Sequence, residues 1–251
     1  MDEQLVAFID LLGFRSIITA QDDGRQSEIL SLLTSLVEAK SDSRSEATCI
    51  DSRTREHEVW PAISAFSDNI VVSFTAAGLA HVGAGMIVFN LANNAAWIFS
   101  RAIRFGCLLR GGIAFGPLHH QNGVVFGPGL VEAYTMESKF AGRPRIIVSA
   151  TAAQKLGSHP YLHSDEDGFL YLDYLRAAYD LEMSATTAGK PLTTRREASR
   201  SWIAEIRRVC EDEVDALAQT RNLAGLQNWR WFATRFERFV ESVPPSMTEG
   251  T

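Results

Sequence analysis

The stretch Val6-Ala7-Phe8-Ile9-Asp10-Leu11-Leu12-Gly13-Phe14-Arg15-Ser16 constrains the fold more than any other. Its first residues are apolar on both faces, which suits a strand buried in the middle of a sheet. The run then meets one carboxylate, Asp10, before a glycine turn and helical sequence. Asp10 thus emerges at the carboxyl end of a central strand, a usual place for a ligand, or it caps the next helix. A second carboxylate, Asp68, stands in Ala65-Phe66-Ser67-Asp68-Asn69-Ile70-Val71-Val72-Ser73-Phe74, at a tight break between two strand-like runs. That pattern reads as a hairpin. Carboxylates at adjacent strand ends can hold two divalent cations, one activating an attacking oxygen and one neutralising phosphates.

With 251 residues, 46% hydrophobic and 22% charged, the chain can build one large core or a domain with an appendage. A net charge of −6 argues against a general nucleic-acid binder, whose footprint is basic. It leaves room for a nucleotide held by metal and a few local cations. Cys49, Cys107 and Cys210 lie far apart without metal-ligand spacing, so they read as buried thiols of a reducing compartment. The N-terminus carries no signal-peptide pattern. The longest apolar window, Gly83 to Phe105, is broken by Asn90, Asn93, Asn94 and Arg101, which suits a packed helix better than a membrane span. The expectation is a soluble, cytoplasmic protein.

Ser27 to Ala39 spaces Ile29, Leu32, Leu33, Leu36 and Val37 for one amphipathic helix face, and Ser41 to Glu56 reads as a polar loop. Glu58 to Phe74 forms the hairpin that carries Asp68, and Leu79 to Phe105 a long apolar helix. The strand Cys107 to Pro117 bears a single arginine, Arg110, which needs an anionic partner in apolar surroundings. That partner is either a structural carboxylate or a bound phosphate. Asn122-Gly123 signals a hairpin, and the adjacent His119 and His120 point to opposite sides of it. A helix from Gly127 towards Gly142, a strand Arg145 to Ala150, a short helix Thr151 to Leu156 and a strand Gly168 to Leu175 follow. Asp180 to Thr194 is a composition break. Beyond it lie helices Arg195 to Ala218 and Leu226 to Val243, the second with Trp229, Phe232, Phe236 and Phe239 as a packed apolar face. The tail from Pro244 reads as disordered. The expected division is 1–180 for the first domain, 195–243 for a helical extension and 244–251 for the tail.

This order of elements gives an α+β fold with a ferredoxin-like βαββαβ core and a C-terminal helical extension. With its motifs the chain resembles the class III nucleotidyl cyclases, the adenylate and guanylate cyclase fold. Phe8-Ile9-Asp10-Leu11-Leu12-Gly13-Phe14 is similar to that family's first metal motif. Ser67-Asp68 stands where the family has a Gly-Asp hairpin, and Arg110-Gly111-Gly112-Ile113-Ala114-Phe115-Gly116 is similar to its Arg-x-Gly-Ile-x-x-Gly strand. The chain departs from the purine cyclases in three places. Ser64 replaces a base-reading lysine or glutamate, and Val124, Val125 and Phe126 stand where a second purine reader belongs. Val131 to Glu137 lacks the asparagine and arginine that stabilise the family's transition state.

A narrower group keeps the metal aspartates without the purine readers. Phe66-Ser67-Asp68-Asn69, Gly127 to Tyr134, Asp167 to Leu175 and Trp229-Arg230-Trp231-Phe232-Ala233 are similar to the pyrimidine (Pycsar) cyclases of bacterial antiphage defence. The resemblance implies conversion of UTP or CTP to a cyclic monophosphate that activates a downstream effector. It implies two Mn²⁺ or Mg²⁺ per active site, held by Asp10, the Leu11 carbonyl and Asp68, with Asp10, Asp68 and Arg110 catalytic. Leu12, Gly13, Phe14, Ser64, Arg110 and Phe126 would bind substrate. It further implies a homodimer with composite active sites and no nucleic-acid or membrane partner. An adenylate or guanylate cyclase, or a cyclase-like domain that binds nucleotide without turnover, remain the alternatives.

Overall fold

The computed structural model describes residues 1–19, 24, 26–35 and 61–248. The loop from Ser41 to Glu56, the start of the expected hairpin and Cys49 lie outside the described residues. The first strand, β1 (Asp2–Leu12), lies inside the sheet between β3 and β4, as its two-sided apolar run requires. Leu5, Ala7, Ile9 and Leu11 are buried on one face, while Gln4, Val6, Phe8, Asp10 and Leu12 alternate onto the other. A short helix α1 (Phe14–Thr19) follows, then α2 over 26–35, with Ile29 and Leu32 buried.

Strands β2 (Ala62–Phe66) and β3 (Asn69–Thr75) form the expected antiparallel hairpin. β3 also pairs antiparallel with β1, with Asp10 opposite Asn69. The helix expected over Leu79 to Phe105 is two helices, α3 (Ala76–Val82) and α4 (Ala84–Ala102), whose axes turn by 108°. The break falls at Gly83, which takes φ of +84°, a conformation that ends a helix. A 3₁₀ turn, Ile103–Phe105, leads to β4 (Leu108–Gln121), which runs further than the expected Pro117. β4 folds back on β5 (Val124–Phe126) through Asn122 and Gly123, both at positive φ, as an Asn-Gly turn of this kind demands.

Helix α5 (Pro128–Thr135) continues as one π-helical turn, Met136–Ala141. Then come β6 (Ile146–Val148), α6 (Ala150–Leu156), β7 (Leu162–Ser164) and β8 (Leu170–Leu172). The sheet order is β2-β3-β1-β4-β6-β8-β7, with β5 attached to β4. β6 is parallel to β4 and antiparallel to β8, and β7 is antiparallel to β8. The fold is therefore mixed α and β, with a sheet rich in antiparallel pairs.

The sequence places a strand over Gly168 to Leu175, but only Leu170–Leu172 are extended. Asp173 accepts a hydrogen bond from the Arg176 amide (3.0 Å) and starts α7 (Tyr174–Thr187). α7 also fills the first half of the expected break at Asp180 to Thr194. The interruption is confined to 188–191, after which α8 (Leu192–Gln219) and α9 (Leu223–Ser242) follow. Pro245–Thr248 form a short helix, α10, where the sequence suggests disorder.

The chain divides into two compact units. One comprises 1–91 and 109–172, and the other 92–108 and 173–251, so the end of α4 belongs with the C-terminal helices. In the second unit Phe99 packs on Tyr174 and Phe232, and Trp202 on Tyr179, Phe236 and Phe239. The α9 aromatics are thus core, as their spacing indicates. Among the described residues, Cys107 and Cys210 are buried, and burial pushes the Cys210 thiol up to about 12. No single described helix is long and apolar enough to cross a membrane.

Candidate active site

Asp10 reaches the site because β1 alternates: every even residue faces the side of the sheet on which α5 packs. Val6, Val71, Ala114, Leu118 and Ala133 form an apolar patch on that side, and Phe8 meets the Tyr134 ring edge-on at 5.5 Å. Asp10 lies at the end of this patch. The β2–β3 turn brings Asp68 beside it: the Leu11 amide donates to the Asp68 carbonyl (2.9 Å). The Asn69 side chain donates to the Asp68 carboxylate (3.0 Å) and orients it. Ser67, at φ +55°, makes the turn in the left-handed region usually left to glycine.

Arg110 comes from the neighbouring strand β4 onto the same face. Its guanidinium donates to Asp10 Oδ2 at 3.1 Å and also bonds the Glu137 carboxylate. The sequence reading leaves the anionic partner of Arg110 open. The structure supplies two carboxylates, and Glu137 is one that motif and spacing did not single out. Glu137 is only 3% exposed, in the π-helical turn after α5. Two tight approaches set these positions. A Cβ on Gly111 would lie 2.6 Å from the Phe8 carbonyl, and one on Gly112 would lie 2.2 Å from the Ala133 carbonyl. Both glycines let β1, β4 and α5 close around the charges.

The group carries three carboxylates, Asp10, Asp68 and Glu137, against one guanidinium. Burial pushes the Asp10 carboxyl up to about 6; Arg110 beside it holds it down in part, while Glu137 and Asp68 drive it up. Such an excess of partly buried anionic oxygen attracts a cation. Among the described residues no group of three or more His, Cys, Asp or Glu side chains is arranged as a metal cage. Asp10 and Asp68 are hard oxygen donors, and a cation that keeps water and binds substrate phosphates needs only one or two such carboxylates. The donor set fits Mg²⁺ or Mn²⁺ on those terms.

Of the remaining expected site residues, Leu12 and Ser64 share this face, whereas Phe126 stands opposite His119 and so belongs to the other side of the β4–β5 hairpin. Leu12, Gly13 and Phe14 turn the chain out of β1, Gly13 at φ +101°, with its carbonyl accepting from the Ser16 amide (3.0 Å). Ser64 is opposite Val71, itself opposite Phe8, so it shares the Asp10 face two strands away. Its hydroxyl is hydrogen-bonded to His120 Nε2 (2.9 Å), and His120 Nδ1 to Ser73 (2.8 Å). His120 is buried between these serines, while its neighbour His119 packs on the Phe126 ring. Phe126 is itself exposed on β5.

No protein-family model matches the sequence, and no curated protein matches it. Among solved structures, the chain is similar to the monomeric guanylyl cyclase domain of the RhoGC fusion protein from the aquatic fungus Blastocladiella emersonii. The likeness has a TM-score of 0.39 at 14% identity, and covers 68% of this chain and 94% of that one. A superposition this loose fixes neither a site nor an activity.

Proposed function

We propose that this chain is a nucleotidyl cyclase, and that its substrate is a pyrimidine nucleoside triphosphate, UTP or CTP. The observation that carries the reading is the meeting of Asp10, Asp68 and Arg110 on one sheet face from three separate strands or turns. The order β2-β3-β1-β4, with helices between β1 and β2 and between β3 and β4, supports a ferredoxin-like core of the class III kind. The substrate's 3′-oxygen attacks the α-phosphorus, the bond from that phosphorus to the bridging oxygen breaks, and pyrophosphate leaves. The 3′-hydroxyl proton goes to solvent.

Phosphoryl transfer asks the protein mainly for positioning and charge neutralisation. Asp10, Asp68 and the Leu11 carbonyl would hold Mn²⁺ or Mg²⁺, which acidifies the 3′-hydroxyl and screens the phosphates. Arg110 donates to phosphate oxygens as charge grows on the leaving pyrophosphate. The turn at Leu12 to Phe14 lies against the terminal phosphates. Ser64 and the Val124 to Phe126 wall offer a small hydroxyl and apolar surface, with no acid or cation to read a purine. By its resemblance, the product is a second messenger of antiphage defence that activates a partner effector.

The test is incubation of the purified chain with each of the four labelled nucleoside triphosphates and Mn²⁺, with separation of the products. A cyclic pyrimidine monophosphate with release of pyrophosphate is expected, lost in Asp10→Ala and in Asp68→Ala and reduced about 10²–10³-fold in Arg110→Ala. A cyclic purine product would overturn the substrate, and full activity in either Asp variant the mechanism. The lack of an asparagine and arginine in Val131 to Glu137 favours a second reading, nucleotide binding without turnover. Saturable binding of UTP or CTP with no product from any nucleotide would establish it.

A further inference from the structure

Arg110 has two seats. One is Asp10, 14% exposed at its side chain, and the other is Glu137, buried within the π-helical turn. Asp10 cannot give its oxygens to a cation and keep the guanidinium at 3.1 Å without placing two positive charges side by side. An arginine that loses its carboxylate while only 28% exposed becomes a poorly solvated cation. The second seat removes that cost.

The fold holds Glu137 in place from three sides. Gly112 allows β4 to approach so closely that a Cβ there would lie 2.6 Å from Met136 Cβ and 2.9 Å from the Glu137 amide. The π-helical turn inserts its extra residue at this point, a distortion that recurs at functional sites. Its far end is tied down by Arg145, which donates to the Ala141 carbonyl (3.0 Å) and pairs with Asp165 and Asp167.

We propose that Glu137 is a positioning residue for the cyclase reaction: it retains Arg110 when Asp10 is given over to a cation, and so aims the guanidinium at substrate phosphates. The inference rests on the cyclase reading of this site. A guanidinium carries five donors in a fixed fork, so one edge can stay on Glu137 while the other faces an anion. Asp10 and Glu137 thus share the arginine while the site is empty, and Glu137 alone keeps it when the site is filled.

The experiment measures Mn²⁺ binding to the full chain without nucleotide, from the electron paramagnetic resonance signal of free Mn²⁺, in wild type, E137Q, R110Q, E137Q/R110Q and D10N. With Arg110 present, E137Q leaves the guanidinium only Asp10, so Mn²⁺ affinity falls about tenfold, the scale of coupling between adjacent sites. In the R110Q background the same substitution has no effect. Equal weakening in both backgrounds would make Glu137 a through-space charge or a ligand in its own right, and overturn the proposal. A lowered melting temperature with unchanged Mn²⁺ affinity would reduce it to a structural ion pair. Should E137Q not fold, E137D keeps the charge but withdraws the carboxylate from Arg110, and the same background-dependent weakening is expected. D10N separates the two readings. If D10N binds Mn²⁺ like wild type, the cation site itself is wrong and this inference falls with it. If D10N abolishes binding while E137Q matches wild type, only the role of Glu137 falls.

Discussion

At the scale of single residues, Asp10 carries a measurable signature of its surroundings. Unfolded, its carboxyl titrates near 3.8, and in the fold near 6, chiefly because burial penalises the charge. Between those values the folded protein keeps a proton that the unfolded chain releases. The contribution of Asp10 to stability is therefore complete below pH 3.8 and is lost as pH rises through 6. In chelator-treated protein, wild type should lose about 1 kcal/mol relative to Asp10→Asn between pH 5 and pH 7.5, or about 3 °C in Tm. Parallel melting curves for the two proteins across that range would mean that Asp10 is not raised. The meeting of Asp10 with Asp68 was legible in the sequence because two strand-like runs each break at a carboxylate, where a lone aspartate could equally have capped a helix. Glu137 was not. Burial logic demanded an anion for Arg110, but that anion lies 27 residues further on in a helix, and no spacing rule connects a strand to a π-helical turn.

At the scale of elements, the contact between β4 and α5 is the one on which the site depends, and Gly112 sets it. A methyl at Gly112 would sit 2.2 Å from the Ala133 carbonyl, which is backbone and cannot swing aside. Gly112→Ala should cost at least about 2 kcal/mol and lower Tm by about 5 °C or more. An alanine variant that melts with wild type would show that α5 can recede from the strand without loss. The strong patterns at this scale were read correctly: the interior strand, the β2–β3 hairpin, the Asn-Gly turn and the amphipathic α9. The errors fell where local signals competed. Phe169 to Tyr174 alternates like a strand, yet Asp173 offers its oxygen to the Arg176 amide, and capping starts a helix at Tyr174. Gly83 sits inside a run otherwise helical in composition, and its freedom at positive φ decides in favour of a bend. Strand β7 has only three residues, too few for any period to declare itself.

At the scale of the molecule, large apolar side chains stand exposed on several of the described elements near the site. Phe66 is 81% exposed at the end of β2, and Val124, Phe126, Val131 and Tyr134 on β5 and α5 are each more than half exposed. Apolar side chains concentrated on the elements around a polar site mark an association surface. We propose a second copy of the chain as the partner, with Asp10 and Asp68 from one subunit meeting Ser64 and the Val124 to Phe126 wall of the other. Two-fold symmetry then generates two equivalent sites. Ser64 is a poor place to probe this, since its hydroxyl is bonded to buried His120 and a larger side chain would strand that ring. Val124 is exposed on a hairpin strand, so Val124→Arg should fold normally while obstructing the base wall. Asp68→Ala and Val124→Arg should each be inactive alone. Mixed in equal amounts and allowed to exchange subunits, half of the dimers carry one of each, and one of their two sites is intact. Activity should return to about a quarter of wild type. Sedimentation confirming dimers of mixed composition, with no activity recovered, would place Asp68 and Val124 in the same subunit's site and end the shared-site arrangement.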